Sequence, residues 1–375
     1  MAARNPFRPS FGAPPPLLVG RNALIEDFDD GLDAGPGAFG RATLITGQRG
    51  TGKTVLLNAL EDCAKARGWL TIAETATTGL IARLVDDHLP RLLAEHDPHG
   101  FDRRITGLTA GPVGITTTVV PDEHRPRPTL RSQIARLTDV LAVHETGLLI
   151  TVDEVHAGDR AELRELFTVY QHAVREERDI GIVVAGLPVA VSEMLSDQVL
   201  TFLRRAQQVD LAAVANADVA AALREPIEAA GRTIADEALG IAVSAVRGYP
   251  FLIQLVGDLA WRANRDATDV SIDDAEHAAR SAPRRMGAMV HAPALQGLSQ
   301  VDRAYLAAMA VDDGPSRSSA VAERMGVAPG YGSMYRQRLI DAELIRPTAH
   351  GYVDFAMPYL REYLREHAVG DTPER

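Results

Sequence analysis

Residues 47–54 read GQRGTGKT, between the apolar run ATLIT and the helix-like VLLNAL. Glycines such as Gly47 and Gly52 reach positive φ and can turn backbone N–H groups inward, while a helix starting near Lys53 would aim its positive end at the same point. Gly47, Gln48, Arg49, Gly50, Thr51, Gly52, Lys53, Thr54 and Val55 are therefore expected to cradle a phosphate chain. Lys53 would place its charge on the β and γ phosphates, and Thr54 would offer its hydroxyl to Mg²⁺. The plainer alternative is a glycine-rich turn joining strand to helix; the full G-x-x-x-x-G-K-T spacing between those two elements weighs against it. Lys53 and Lys65 are the only lysines among 39 basic residues, so the motif keeps a residue type that the chain otherwise avoids.

About a hundred residues later, LLITVDEVH ends an apolar run on two adjacent carboxylates. Asp153 there suits Mg²⁺, directly or through water, and Glu154 suits a base that orients or deprotonates an attacking water. A solvated turn with helix-capping acids is the competing reading. DEVH also spells the box of one helicase superfamily, but no second motor-like half with arginine motifs accompanies it. A phosphate loop followed by such a pair implies ATP and ADP as ligands, Mg²⁺ as cofactor, and ATP hydrolysis as the reaction.

These residues need a scaffold, and the pattern supplies one. RATLIT (41–46), WLTIAET (69–75), GLLITV (147–152), DIGIVVAG (179–186) and QQVDL (207–211) alternate with amphipathic stretches, which predicts an α/β fold with a five-stranded parallel sheet covered on both faces. Residues 1–16, rich in Pro, Gly and Arg, read as a flexible arm, and 17–212 as the P-loop core. Residues 105–128 interrupt the rhythm as a hairpin-like insertion. Residues 213–282 read as a helical lid of four helices, the first capped by Asn216; 283–297 as a linker; 298–367 as a further domain; and 368–375 as a tail. The 375 residues are 46% hydrophobic and carry a net charge of −11, which argues against indiscriminate coating of nucleic acid. A single cysteine, Cys63, excludes an internal disulfide. With no signal-like amino terminus and no long apolar run, the expected setting is the cytoplasm, without a membrane partner.

Over residues 16–282 the chain resembles AAA+ ATPases, in the branch shared by origin-recognition-type initiators and STAND regulatory ATPases. The resemblance rests on PLLVGR (16–21), GQRGTGKT, LLITVDEVH and RGYPFLIQL (247–255). It implies that Val19, Gly20 and Arg21 lie near the adenine base, although a simple junction between linker and helix would look the same. It implies that Gly248, Tyr249 and Pro250 contact the nucleotide from the lid, where an ordinary helix start with Pro in its first turn is the equal alternative. It also implies an arginine finger at Arg204 or Arg205 acting on a neighbouring copy; cations offsetting a helix dipole are the plainer reading. Two departures stand out. Ala185 and Gly186 occupy the end of the fourth strand, where many relatives carry a polar sensor, and Arg247 is only a substitute for the usual lid arginine. Both favour slow hydrolysis and a nucleotide-state switch over a fast motor.

Residues 298–367 run helix, helix, helix, two-stranded wing, helix, the order of a winged helix-turn-helix. In that arrangement Tyr335, Arg336, Gln337 and Arg338 on the third helix would face double-stranded DNA, with Arg317 or Ser318 on phosphate. The domain holds eight Arg against nine acidic residues, far from the basic excess of strong DNA binders. Docking of a protein partner, self-assembly or self-locking stands level with DNA binding.

Overall fold

The computed structural model describes residues 4–10, 15–97 and 128–367. The expected insertion at 105–128, apart from Pro128, and the tail at 368–375 lie outside the described residues. The chain divides into two compact units. One comprises the described parts of Ala23–Thr46 and Leu56–Asp210; the other comprises those of Met1–Asn22, Gly47–Val55 and Leu211–Arg375.

The first unit is the sheet. Its strands are β1 (Ala42–Thr46), β2 (Leu70–Thr75), β3 (Leu148–Asp153), β4 (Ile180–Gly186) and β5 (Gln207–Asp210), all parallel in the order β2-β3-β4-β1-β5. Every residue of β4 is buried, as is all of β3 before Asp153. A parallel sheet carries helices on both faces, so its central strands must be apolar on both sides. Leu80, Leu84, Leu89, Leu130, Ile134 and Phe167 pack against Ile72, Ile150 and Ile182 in that core. One buried charge sits at its base. Arg41 donates from Nε to the Gly31 carbonyl and from Nη1 to Asp179, both at 2.7 Å, and lies over the Trp69 ring. Removing Asp179 would leave the buried guanidinium without its carboxylate, whereas Asp179, a third exposed, keeps access to water.

The second unit contains the lid and the carboxyl-terminal domain, which share one apolar cluster. The lid helices are Asn216–Ala229, Asp236–Val246, Pro250–Ala263 and Ile272–Met286, with a two-residue parallel pair, Thr233–Ile234 and Asp269–Val270, between them. Asn216 is not the cap. Ala215 holds the extended N-cap position with no side-chain bond, and Asn216 is the first helical residue. The preceding segment is positioned instead by the Val214 N–H on the Gly248 carbonyl. Ser271 forms a full capping box with Asp274 on the last lid helix. Part of the amino-terminal segment expected to be a flexible arm is anchored here: Phe7 is buried against the bare backbone of Gly257, and Asn5 bonds Asp258.

The carboxyl-terminal domain runs Gln300–Ala310, Ser316–Arg317, Ser318–Arg324, Pro329–Asp341, Ile345–Ala349, Tyr352–Phe355 and Leu360–His367, its three strands forming one antiparallel sheet. This is the element order expected of a winged helix, with one extra short strand. The expected linker at 283–297 is helical throughout most of its length: helix continues to Met286, passes a wide turn at Gly287–His291 and resumes at Ala292–Gln296. It stays folded because it is packed. Tyr363 covers Gly287, and the buried His291 ring lies 3.0 Å from the Pro358 carbonyl, to which Nε2–H donates.

Burial pushes the His291 pKa down to about 4 from 6.5, opposed by the Pro358 bond and the Glu362 charge. The unfolded chain therefore binds the proton more readily than the folded one, so stability falls as pH drops from 6.5 towards 4. The fully developed effect is about 3 kcal/mol. His291→Gln, which keeps a donor for Pro358, should flatten this part of the stability profile relative to wild type in denaturant unfolding at pH 7 and pH 5.

Candidate nucleotide site

The phosphate loop leads from β1 into the helix Lys53–Ala66. Gly50 and Gly52 have φ of 76° and 93°, conformations that disfavour any side chain. Gly47, expected to share that role, has no positive φ. It is glycine for space: a Cβ there would fall 2.5 Å from Thr51 Oγ1 and 3.0 Å from Leu211 Cβ. Lys53 Nζ donates to the loop's own carbonyls, 2.7 Å to Gly47 and 3.1 Å to Gln48, and the Thr51 hydroxyl donates to Gln48 O at 2.7 Å. The ammonium is thereby held against the backbone of the loop.

Two residues distant in sequence converge on Arg49. Tyr249, buried at the cap of Pro250–Ala263, donates its hydroxyl to the Arg49 carbonyl at 2.6 Å. A Cβ on Gly50 would lie 2.2 Å from that oxygen. Glu343, just beyond the Pro329–Asp341 helix, accepts the Arg49 backbone N–H at 3.0 Å. Burial, and after it the Glu343 charge, push the Tyr249 hydroxyl pKa up, which keeps it a donor. Tyr249 is thus brought to the loop. Pro250 presets the helix start, and Gly248 is required by φ of 69° and by a Cβ position 2.8 Å from the Val214 carbonyl. Glu343 carries no sequence signal; in DAELI it reads as one more acid on a charged surface.

In the same unit, Val19 packs on the lid core, and Gly20 takes φ of 67° beside Asp218. Arg21 reaches the Ala212 carbonyl at 3.2 Å; burial lowers its pKa and Asp218 opposes the shift. Arg247 is committed elsewhere: it lies 3.8 Å over the Tyr359 ring and pairs with Glu362 at 2.9 Å.

In the sheet unit, Asp153 ends β3 and its carboxylate accepts the Glu154 N–H at 2.8 Å. Glu154 has φ of 55°, an uncommon conformation for a non-glycine residue, and its carboxylate lies 3.2 Å from His156 Nδ1. Gly186 ends the neighbouring strand, where a Cβ would meet Val155 Cγ2 at 2.3 Å. The bare sensor position therefore has a packing reason. Arg204 and Arg205 are both exposed, and Arg204 Nε donates to the Leu195 carbonyl at 2.9 Å.

Residues 17–183 match the family model described as "AAA ATPase domain". Residues 17–183 therefore carry an AAA ATPase domain. A second family model, a domain of unknown function, matches residues 288–364 of this chain, the packed helical segment and most of the carboxyl-terminal domain. No curated protein matches it by sequence. Its fold is similar to that of the Walker-type ATPase of Pyrococcus abyssi, with TM-score 0.63, 14% identity, and 93% of this chain and 96% of that one covered. It is also similar to the Aeropyrum pernix ORC2 protein in its ADPNP–ADP complexes, with TM-score 0.61, 16% identity and 96% of each chain covered. Cdc6p of Pyrobaculum aerophilum aligns with TM-score 0.50 at 14% identity, covering 96% and 97%.

The expected DNA-facing residues do not all face outward. Tyr335 is buried in the core, its hydroxyl donating to that of Tyr331 at 2.8 Å; the exposed ring on this helix is Tyr331. Helical spacing four residues apart puts both on one side, and packing against Leu306 and Leu339 draws the second inward. Arg338 is paired with the buried Asp302 at 3.0 Å, and Arg336 is half-buried. Arg317 is exposed and Ser318 half-buried, its N–H donating to Gly351 at the wing turn.

Gly186→Ala should cost about 1–3 kcal/mol through overpacking against Val155. The added change Val155→Ala should recover part of that loss, and a double-mutant cycle by chemical denaturation measures the coupling.

Proposed function

We propose that this AAA ATPase is a cytoplasmic, Mg²⁺- and ATP-dependent switch that hydrolyses ATP slowly and passes its nucleotide state to the lid and the carboxyl-terminal domain. The observation that carries the proposal is the Tyr249 hydroxyl on the Arg49 carbonyl, which ties the start of a lid helix to the backbone that would wrap the phosphates.

The residues present fit a nucleotide. Positive-φ glycines at positions 50 and 52, a lysine held over the loop and no side chain on Gly50 leave main-chain N–H groups to serve as the anion donors. The Thr54 hydroxyl and the Asp153 carboxylate are hard oxygen donors of the kind Mg²⁺ takes alongside phosphate oxygens. Bound Mg²⁺ would supply neutralisation of phosphate charge. Lys53 holds the β and γ oxygens by point charge, Glu154 orients a water and accepts its proton, and His156 beside it fixes the carboxylate. No side chain at Ala185 or Gly186 adds a second hold on that water, which supports slow turnover. Of the two finger candidates, Arg205 has the freer side chain for a neighbouring copy's γ-phosphate; Arg204 serves the Leu195 carbonyl. Val19, Gly20 and Arg21 are assigned to the base side.

For the carboxyl-terminal domain we propose DNA-associated regulation through Arg317, Ser318, Arg336 and Arg338. The pairing of Arg338 with Asp302 and the burial of Tyr335 favour a second reading, in which the domain engages a protein partner or drives self-assembly without DNA.

Glu154→Gln should retain ATP while abolishing turnover, and Lys53→Ala should abolish binding. With Glu154→Gln held in ATP or in ADP, oligomeric state by light scattering and affinity for duplex DNA at physiological salt should differ between the two nucleotides. Equality of both observables would sink the switch. Loss of DNA affinity in Arg336→Ala and Arg338→Ala supports the DNA reading; ATP-dependent assembly with no DNA effect supports the second.

A further inference from the structure

Glu343 occupies a position whose chemistry is unusual in three respects. It follows the end of the Pro329–Asp341 helix at φ of 56°, in the turn closed by Glu343 N–H on Ile340 O and Leu344 N–H on Leu339 O. Glycine is the residue that such a helix-ending turn favours, so a glutamate here is held against its backbone preference. Its side chain is only 6% exposed, an uncommon place for a carboxylate. That carboxylate is spent on a main-chain N–H of the phosphate loop, at 3.0 Å, with the Arg49 guanidinium 3.9 Å away.

A backbone N–H in an anion cradle presents one hydrogen, and a carboxylate is the side-chain group most like a phosphate oxygen pair. Two anions cannot share it, since the second would meet the first at short range in a poorly solvated site. We infer that Glu343 is a built-in anionic competitor at the phosphate loop, an autoinhibitory latch by which the carboxyl-terminal domain and the nucleotide phosphates exclude one another from the Arg49 N–H. Phosphate binding releases the end of the Pro329–Asp341 helix, and a partner that pulls that helix away opens the loop to nucleotide. The Tyr249 bond remains compatible with either occupant, because it uses the Arg49 carbonyl, in the next peptide unit along the chain, and not the N–H.

This inference rests on the nucleotide reading, and the test separates the two. In the full chain, Glu343→Gly suits the backbone and removes the carboxylate, and Glu343→Gln keeps its shape without its charge. Titrated with a fluorescent ATP analogue and Mg²⁺, both variants should bind about tenfold more tightly than wild type, the factor for one charge-assisted hydrogen bond no longer displaced. Adenosine, which has no phosphate, should compete equally against all three proteins. Unchanged or weaker ATP binding in either folded variant overturns the latch and leaves the nucleotide site standing. Failure of wild type and both variants to bind, with Lys53→Ala making no difference, overturns the nucleotide reading itself. A readout needing no mutation is hydrogen exchange in wild type: saturating ATP should speed exchange of the amides at 342–345, and unaltered exchange overturns the latch.

Discussion

The backbone of Arg49, its N–H and its carbonyl, is the constraint on which the unit holding the lid and the carboxyl-terminal domain depends. A loop shaped to offer its N–H groups to an anion leaves backbone polar groups that something must satisfy. Here the carbonyl is satisfied by Tyr249 and the N–H by Glu343, while Lys53 is held by the carbonyls of Gly47 and Gln48. Because the two partners of Arg49 come from the lid and from the carboxyl-terminal domain, satisfying the backbone of one residue couples three segments separated by about two and three hundred residues of chain. Glycine at position 50 is what permits the close approach of the tyrosine.

The sheet unit solves a different problem. Parallel strands buried on both faces hold polar side chains inside only where these are hydrogen-bonded, as Thr151 is to Glu61; at the carboxyl end of β3 Asp153 emerges, and Glu154 follows in a left-handed conformation. Val155 then folds back onto Gly186. Packing the neighbour of Glu154 against the end of β4 removes the room for a side chain at Gly186.

Charge in the carboxyl-terminal domain is largely consumed internally. Arg324 pairs with Asp312, Arg338 with Asp302, Arg361 with Asp354 and Arg365 with Asp313. These pairs add little stability where exposed. Their consequence is electrostatic: arginines bound to neighbouring acids offer less to a phosphate backbone than the count of basic residues suggests. The same economy makes Glu343 notable, since its carboxylate is directed at a backbone N–H of another segment.

The sequence by itself determined the five parallel strands to within a residue or two, the phosphate loop, the acidic pair, the four lid helices and the order of the carboxyl-terminal elements. Each is a local signal: apolar runs of strand length, glycines at fixed spacing, helical periodicity and turn residues. The resemblance carried by RGYPFLIQL also drew attention to Tyr249, which bonds the Arg49 carbonyl of the loop. Local patterns misplaced the first lid cap at Asn216 and the ring of Tyr335, and read the packed helices at 283–297 as a linker. Cap choice, ring burial and linker packing depend on neighbours far away in the chain: Gly248 for the first, the core around Leu306 for the second, Pro358 and Tyr363 for the third. Only the tertiary structure decided that Glu343 meets Arg49, that Arg338 is spent on Asp302 and that Gly186 is bare because Val155 fills its space. A hydrogen bond or a steric contact between residues tens to hundreds of positions apart has no periodicity and no motif, so it becomes visible only when the chain has folded.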